Sequence, residues 1–196
     1  ENMESFGYTL LQKPLEGLNI IYPDERLDKE DSNIDPKNLV GKNGLQRLMN
    51  YTETLTPPSR TNFEYKDEKY GRIFSPNEIG KYSSKIKSIC DSIINSTGIV
   101  LVYSQYIDGG IVPIALALEE LGFTRAGAQK SLFKNSPTEA IDSLTFKPKS
   151  EVTNNFNPAK YVMITGDKTL SPDNVGDLKM LTNLDNKYGA KVKVVF

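Results

Sequence analysis

The chain is 196 residues long, with 24 Lys and Arg against 25 Asp and Glu, 38% hydrophobic residues, one Cys and neither His nor Trp. The missing histidine excludes a Ser-His-Asp triad or a Cys-His dyad, and the lone Cys90 excludes an internal disulfide and an ordinary structural zinc site. A net charge of −1 argues against wrapping nucleic acid by bulk electrostatics but leaves room for a local phosphate site.

One thiol fits a reducing, intracellular setting, no apolar run approaches the roughly 18 residues of a membrane span, and the opening ENMESFGYTL lacks the order of a signal peptide. A soluble chain of one domain plus an arm, or of two small domains, is expected. From the N-terminus, the apolar residues 18–22 predict a strand and the polar run 23–38 a surface loop. Residues 44–49 fit a short helix that Pro57 and Pro58 prevent from continuing. As a whole, 1–80 reads as a loosely ordered arm or linker and 81–196 as the folded domain.

In that second part Ile86, Ile89, Ile93 and Ile94 recur at helical spacing, with Ser83 or Ser84 as N-cap and Gly98 past the end, so a helix is expected over 83–96. Residues 99–103 are a continuous apolar run, the pattern of a central strand covered on both faces. After a glycine-bearing loop at 104–110, a helix is expected over 111–121, with Pro113 in its first turn and Gly122 at its C-terminal cap. Pro137, Pro148 and Pro158 among small polar residues mark 124–160 as an insertion. Residues 161–165 predict a second buried strand and 166–170 a loop. Ser171 then reads as an N-cap followed by Pro172 and Asp173, and Val175, Leu178, Leu181 and Leu184 as one face of a helix that Gly189 stops. Residues 191–196 begin a third strand. This order predicts a three-layer α/β fold with a parallel sheet and right-handed crossovers. An apolar strand without its covering helix at the end, and Glu1 rather than Met at the start, lead to the expectation of a truncated piece of a longer protein.

A parallel sheet presents its working loops at the carboxyl ends of its strands, here 104–110 and 166–170. Each leads into a helix N-terminus, at Ile111 and at Pro172–Asp173, where anions are favoured, so phosphate is the expected ligand class. No segment matches G-x-x-x-x-G-K-[ST]: Gly166-Asp167-Lys168-Thr169 carries Asp between Gly and Lys and has no glycine five residues earlier. Asp24-Glu25 follows an apolar stretch in the manner of a magnesium-binding strand end, but with 23 residues before it there is no room for a nucleotide-holding half, and surface charge is the preferred reading. Asp67-Glu68 lacks even the apolar stretch. Glu119-Glu120 and the pair Asp173 and Asp177 fall beside exposed helical positions and read as solvated charge. Lys168, Lys191 and Lys193 are candidates to meet phosphates, against ordinary solubility charge. Tyr103 and Tyr106 are candidates to stack on bases, against packing at a strand end.

Taken together, Tyr82-Ser83-Ser84-Lys85-Ile86, GIVLVYSQYIDGGIVPIALALEELGF at 98–123 and YVMITGDKTLSPDNVGDLKMLTN at 161–183 resemble the second, C-terminal RecA-like domain of superfamily 2 helicases. The likeness is greatest to the helicases and helicase-related transcription factors of large nucleocytoplasmic DNA viruses. It covers 81–196, and the insertion at 124–160 departs from compact members. Y-S-Q-Y at 103–106 resembles motif IV, and I-T-G-D at 164–167 the strand and loop called motif IVa.

The resemblance implies a P-loop NTPase-type, RecA-like domain of an NTP-dependent helicase or translocase. Such a domain closes over nucleotide held by a first RecA-like domain and grips one nucleic-acid strand, DNA or RNA. It implies Ser104, Gln105, Thr165, Gly166 and Lys168 as contacts to the nucleic-acid backbone, a role suited to donors at helix N-termini. It also implies no catalytic or metal-binding residue in this chain, with ATP and Mg2+ bound mainly outside it. The implied partners are nucleic acid, the first RecA-like domain and the transcription machinery, and the implied setting is a cytoplasmic viral factory or virion. A glycine-rich motif V and an arginine-finger motif VI follow later in the family, so these residues alone are expected neither to hydrolyse ATP nor to unwind a duplex. The alternative is a transcription or assembly factor that keeps the helicase-like fold as a protein-binding scaffold. A third reading, a sugar-nucleotide enzyme, would need catalytic residues at the strand ends that the sequence does not offer.

Overall fold

The computed structural model describes residues 3–29, 33–53, 60–66, 68–127 and 131–196, which leaves Pro57, Pro58 and Asp67 outside the described residues. Four strands form one parallel sheet: β3 (Val100–Leu101), β4 (Thr124–Arg125), β5 (Lys160–Val162) and β6 (Val194–Val195), in the spatial order β3-β6-β5-β4. The chain is therefore α/β, as its strand and helix order requires. Side chains alternate across the two central strands. Tyr161, Met163, Val194 and Phe196 face the main core, while Val162 and Val195 join Ala126, Val192 and the partly buried Met180 and Leu181 on the other face.

The main core is built around α5 (Val112–Leu121), whose residues from Val112 to Glu120 are all buried. A helix apolar on every side must be covered on every side. The sheet and α4 (Ser84–Ile94) cover part of it, and the N-terminal half of the chain covers the rest. The ends of both helices follow the sequence. Ser83 caps α4 by accepting a hydrogen bond from the Ile86 amide at 2.9 Å, Pro113 lies in the first turn of α5, and Gly122 takes the left-handed conformation at φ 102° that ends it.

The first 80 residues are not a loose arm. They hold α1 (Met3–Gly17), α2 (Gly41–Leu48), an antiparallel hairpin of β1 (Met49–Glu53) and β2 (Arg60–Tyr65), and the short α3 (Ile79–Tyr82). Tyr22, Leu45, Met49, Phe63, Ile73 and Phe74 enter the same core as α5. Each segment supplies one or two large side chains rather than a periodic face, so the pattern is invisible in the sequence. Residues 18–22 make no ladder: the Ile21 amide donates to Tyr82 O and the Tyr22 amide to Leu39 O, two unrelated partners. The polar run 23–38 contains two 3-10 turns, capped by Asp24 and Asp35. Asp24 is buried between Arg26 and Arg47, and these bonds hold its carboxyl far below the usual range.

Three further expectations are corrected. Of residues 99–103 only β3, Val100–Leu101, is strand, and it lies at an edge because the late strand β6 lies between β3 and β5; Val102 faces the core, whereas Leu101 and Tyr103 are 73% and 86% exposed. Residues 124–160 are not an insertion outside the core. They begin with the edge strand β4, place Leu132 and Phe133 beneath α5, and are pinned by Asp142, which accepts from the amides of Leu144, Thr145 and Asn157. The last helix, α6 (Asn174–Leu181), is capped by Asp173 rather than Ser171, and Leu184 lies past its end in a 3-10 turn. Val175, Leu178 and Leu184 are exposed, and Asp177 is the buried position on α6, where the charge of Arg125 offsets part of its desolvation. Among the described residues no helix is long and apolar enough to cross a membrane.

Glu119 and Glu120, read from sequence as solvated, are both buried and join layers. The Glu119 carboxylate accepts from the amides of Leu132 at 2.7 Å and Phe133 at 2.9 Å and from the Tyr161 hydroxyl at 2.6 Å. Glu120 accepts from the Tyr65 hydroxyl at 2.6 Å and pairs with Arg72. Each buried donor left without an acceptor costs about 1–3 kcal/mol. Glu119→Ala should therefore lower the stability read from a denaturant midpoint by about 3 kcal/mol or more, and Tyr161→Phe by about 1 kcal/mol. Equal losses in the two variants would show that the carboxylate is not the tie.

Candidate functional site

The carboxyl ends of β3 and β5 lie beside each other across β6, and the two loops that leave them border an open cleft of about 620 Å³. Ser104 and Gln105 contribute from the first loop and Thr165 and Gly166 from the second, so four of the five expected site residues surround one space. Lys168 does not line it and sits exposed farther along the second loop. The rest of the wall is apolar, including Leu101, Tyr103, Ile164, Leu181 and Phe196, with no Lys or Arg among the lining residues.

The first loop is closed by its own polar groups. The Ser104 hydroxyl accepts from the Tyr106 amide and donates to the Tyr106 carbonyl, each at 3.1 Å. A turn of π-helix over Ile107–Ile111 then leads into α5. Single π-turns are frequent at functional sites. Gly110 is required here, since a Cβ would lie 2.3 Å from the Ser104 Oγ. The N-terminus of α5, expected to be open to an anion, is buried, and Glu16 of α1 packs its carboxylate against Gly109.

The second loop is likewise self-bonded. The Thr165 amide donates to Ser171 Oγ at 3.0 Å, the two hydroxyls are 2.7 Å apart, and Thr165 Oγ1 accepts from the Asp167 amide at 3.2 Å. The Asp167 side chain accepts from Thr169, and the Leu170 and Ser171 amides donate to the Asp167 carbonyl. Burial raises the Asp167 carboxyl, but the Thr169 bonds and the Arg60 charge outweigh it and leave the group below its ordinary range.

Arg60, from β2, was not legible as part of this region. Its guanidinium is buried beside both loops, with Nη1 2.6 Å from Asp108 Oδ1 and Nη2 3.5 Å from both Asp167 Oδ2 and Glu53 Oε1. No local periodicity connects residues so far apart in the chain. Asp108 is raised above the ordinary carboxyl range by burial and by the charges of Glu53 and Asp167, against the lowering effect of Arg60 and Lys42.

The other sequence candidates fall elsewhere. Lys193 is 2% exposed and donates to Ser96 O at 2.8 Å and Gly98 O at 2.7 Å, a structural tie rather than a surface cation. Lys191 is exposed and pairs with Asp185. Tyr103 stands free at the cleft rim, whereas the Tyr106 hydroxyl is buried without a hydrogen-bond partner among the described residues. Cys90 is buried in α4, and desolvation pushes its thiol up to about 12. Among the described residues no group of three or more Asp, Glu or Cys side chains is arranged to hold a metal ion.

Comparison of the chain with known protein families, with curated proteins and with solved structures finds no match.

The loop geometry separates structural from available groups. Thr165→Val removes the hydroxyl that bonds Ser171 and Asp167 and should cost about 1–2 kcal/mol in denaturant unfolding. Lys168→Ala, at an exposed position, should stay within about 0.5 kcal/mol of the parent. A loss at Lys168 equal to that at Thr165 would make the lysine part of the loop scaffold.

Proposed function

We propose that this chain is part of an NTP-dependent nucleic-acid helicase or translocase, serving as a second RecA-like domain that grips the nucleic-acid backbone. The observation that carries the reading is the meeting of Ser104 and Gln105 with Thr165 and Gly166 around one cleft at the carboxyl edge of a parallel sheet. These residues belong to the two segments that resemble helicase motifs. Ligands of open parallel α/β sheets bind at this edge.

In this reading the Gln105 side chain and the Lys168 ammonium contact phosphates without reading sequence, and Tyr103 offers a ring face to a base. The hydroxyls of Ser104 and Thr165 act mainly by shaping their loops, because both are already engaged there. ATP and Mg2+ belong to the complete motor and are held mainly outside these residues. The sequence carries no P-loop, and the described residues hold no acidic cluster that fits the metal. Intracellular work in a viral factory or virion, with transcription machinery as partner, follows from the same resemblance.

The apolar lining of the cleft and the absence of a cation among its described lining residues favour a second reading, a helicase-like scaffold whose cleft receives protein. The two readings differ in salt dependence, since each phosphate contact to a single strand contributes a slope of about −0.7 in log K against log salt. Titration of the chain with a short labelled single-stranded oligonucleotide should show binding that weakens with salt. The Gln105→Ala, Lys168→Ala double variant should bind about tenfold more weakly with an unchanged Tm. Absence of binding at low salt, or an unchanged affinity in a folded double variant, would overturn the backbone-gripping reading in favour of the scaffold.

A further inference from the structure

We propose that Arg60 is the positioning residue of the strand-end cleft: from the N-terminal hairpin it ties the first loop, through Asp108, to the second, through Asp167, and so fixes their separation. The tie itself is a property of the fold, and its consequence for a ligand rests on the nucleic-acid reading above.

The geometry is specific to a guanidinium. Nη1 is at hydrogen-bond distance from Asp108 Oδ1, while Nη2 stands 3.5 Å from Asp167 Oδ2, an ion-pair separation. A single planar cation thereby reaches two loops that share no hydrogen bond across the cleft among the bonds described above. Glu53 of β1 holds Nη2 from a third side at 3.5 Å and is itself paired with Lys42 of α2 at 2.9 Å, which anchors the arrangement to the N-terminal layer. Nε is buried without a hydrogen-bond partner among the described residues, so the guanidinium is held by its two terminal nitrogens. A lysine at the same place would present one point charge and lack the fork.

The charged and titratable groups facing Asp108 are Arg60 on β2, Glu53 and Tyr51 on β1, Lys42 on α2, Tyr22 in the extended segment before Asp24, and Asp167 on the second loop. Glu53, Asp108 and Asp167 outnumber Arg60 and Lys42. Because Asp108 is raised above the ordinary range in the folded state, lowering the pH protonates it there first. That step adds to global stability, since the folded chain binds the proton more tightly than the unfolded one. It also removes the charge from the Arg60 contact, and because Arg60 lowers the Asp108 carboxyl the two groups are thermodynamically linked. Asp167 is shifted the other way and keeps its charge over the same pH range.

Amide hydrogen exchange of the full chain tests this without any ligand. In Arg60→Gln, the protected amides of Tyr106 and Ile111 in the first loop and of Leu170 and Ser171 in the second should exchange about tenfold faster at neutral pH, with α4 and β5 unchanged. In the parent, the Asp108 carboxyl, followed by side-chain carboxyl NMR, should titrate above the ordinary carboxyl range. In Arg60→Gln that titration should move to still higher pH, because the charge that lowers it is gone, whereas a merely space-filling Arg60 would leave it in place. Asp167→Asn keeps the acceptor for Thr169 and removes the charge facing Arg60. It should loosen only the second loop, and it serves if Arg60→Gln does not fold. Loosening of one loop alone in Arg60→Gln, no loosening in either, or an unmoved Asp108 titration would overturn the proposal. The same variants titrated with the single-stranded oligonucleotide read the functional consequence separately. Loosened loops with no oligonucleotide binding in parent or variant would uphold the tie and reject the nucleic-acid reading.

Discussion

Two adjacent carboxylates at the end of one buried helix hold the layers of this protein in register. Neighbouring residues on a helix point about 100° apart, so Glu119 and Glu120 cannot serve the same layer. Glu119 faces Tyr161 on the sheet and the amides of 132–133, and Glu120 faces Tyr65 and Arg72 of the N-terminal layer. Because α5 has no exposed side, both charges had to be met by internal donors. Apolar packing alone would leave the N-terminal layer free to slide over α5, and directional bonds to a single helix remove that freedom.

The same helix begins at the cleft. Its first turn continues the π-turn that follows Ser104, so the position of the first loop is set by the buried helix behind it. The second loop is tied mainly to itself, through Thr165, Asp167 and Ser171. A region built from two separately organised loops and an apolar floor has its polar capacity mostly committed to shape. At its exposed rim stand Gln105, the ring of Tyr103 and, nearby, Lys168.

Much of the domain core was legible because it is periodic. The Ile86, Ile89 and Ile93 spacing gave α4, the Ser83 cap and Gly122 marked helix ends, and the apolar run at 161 gave β5. The N-terminal layer was illegible because its hairpin has an irregular register between Asn50 and Thr52 and a left-handed Asn62 at φ 59°, which together break the two-residue alternation. Strand position was also hidden: the run at 99–103 looks central, but only the pairing order makes it an edge. At the cleft, the loops were found from strand ends, whereas Arg60 was missed because it arrives from a separate hairpin. Lys193 and Glu119 were misjudged for a common reason, since burial of a charge depends on partners that no local pattern announces.

Cys90 gives the molecule a built-in clock. Thiol alkylation proceeds through the thiolate, and burial in α4 withholds both access and ionisation from the chain's one sulfhydryl. Reaction with a small alkylating reagent must therefore wait for α4 to lift away from α5 and the segment 74–79. Its rate counts openings of the central layer, undisturbed by whatever the strand-end loops are doing.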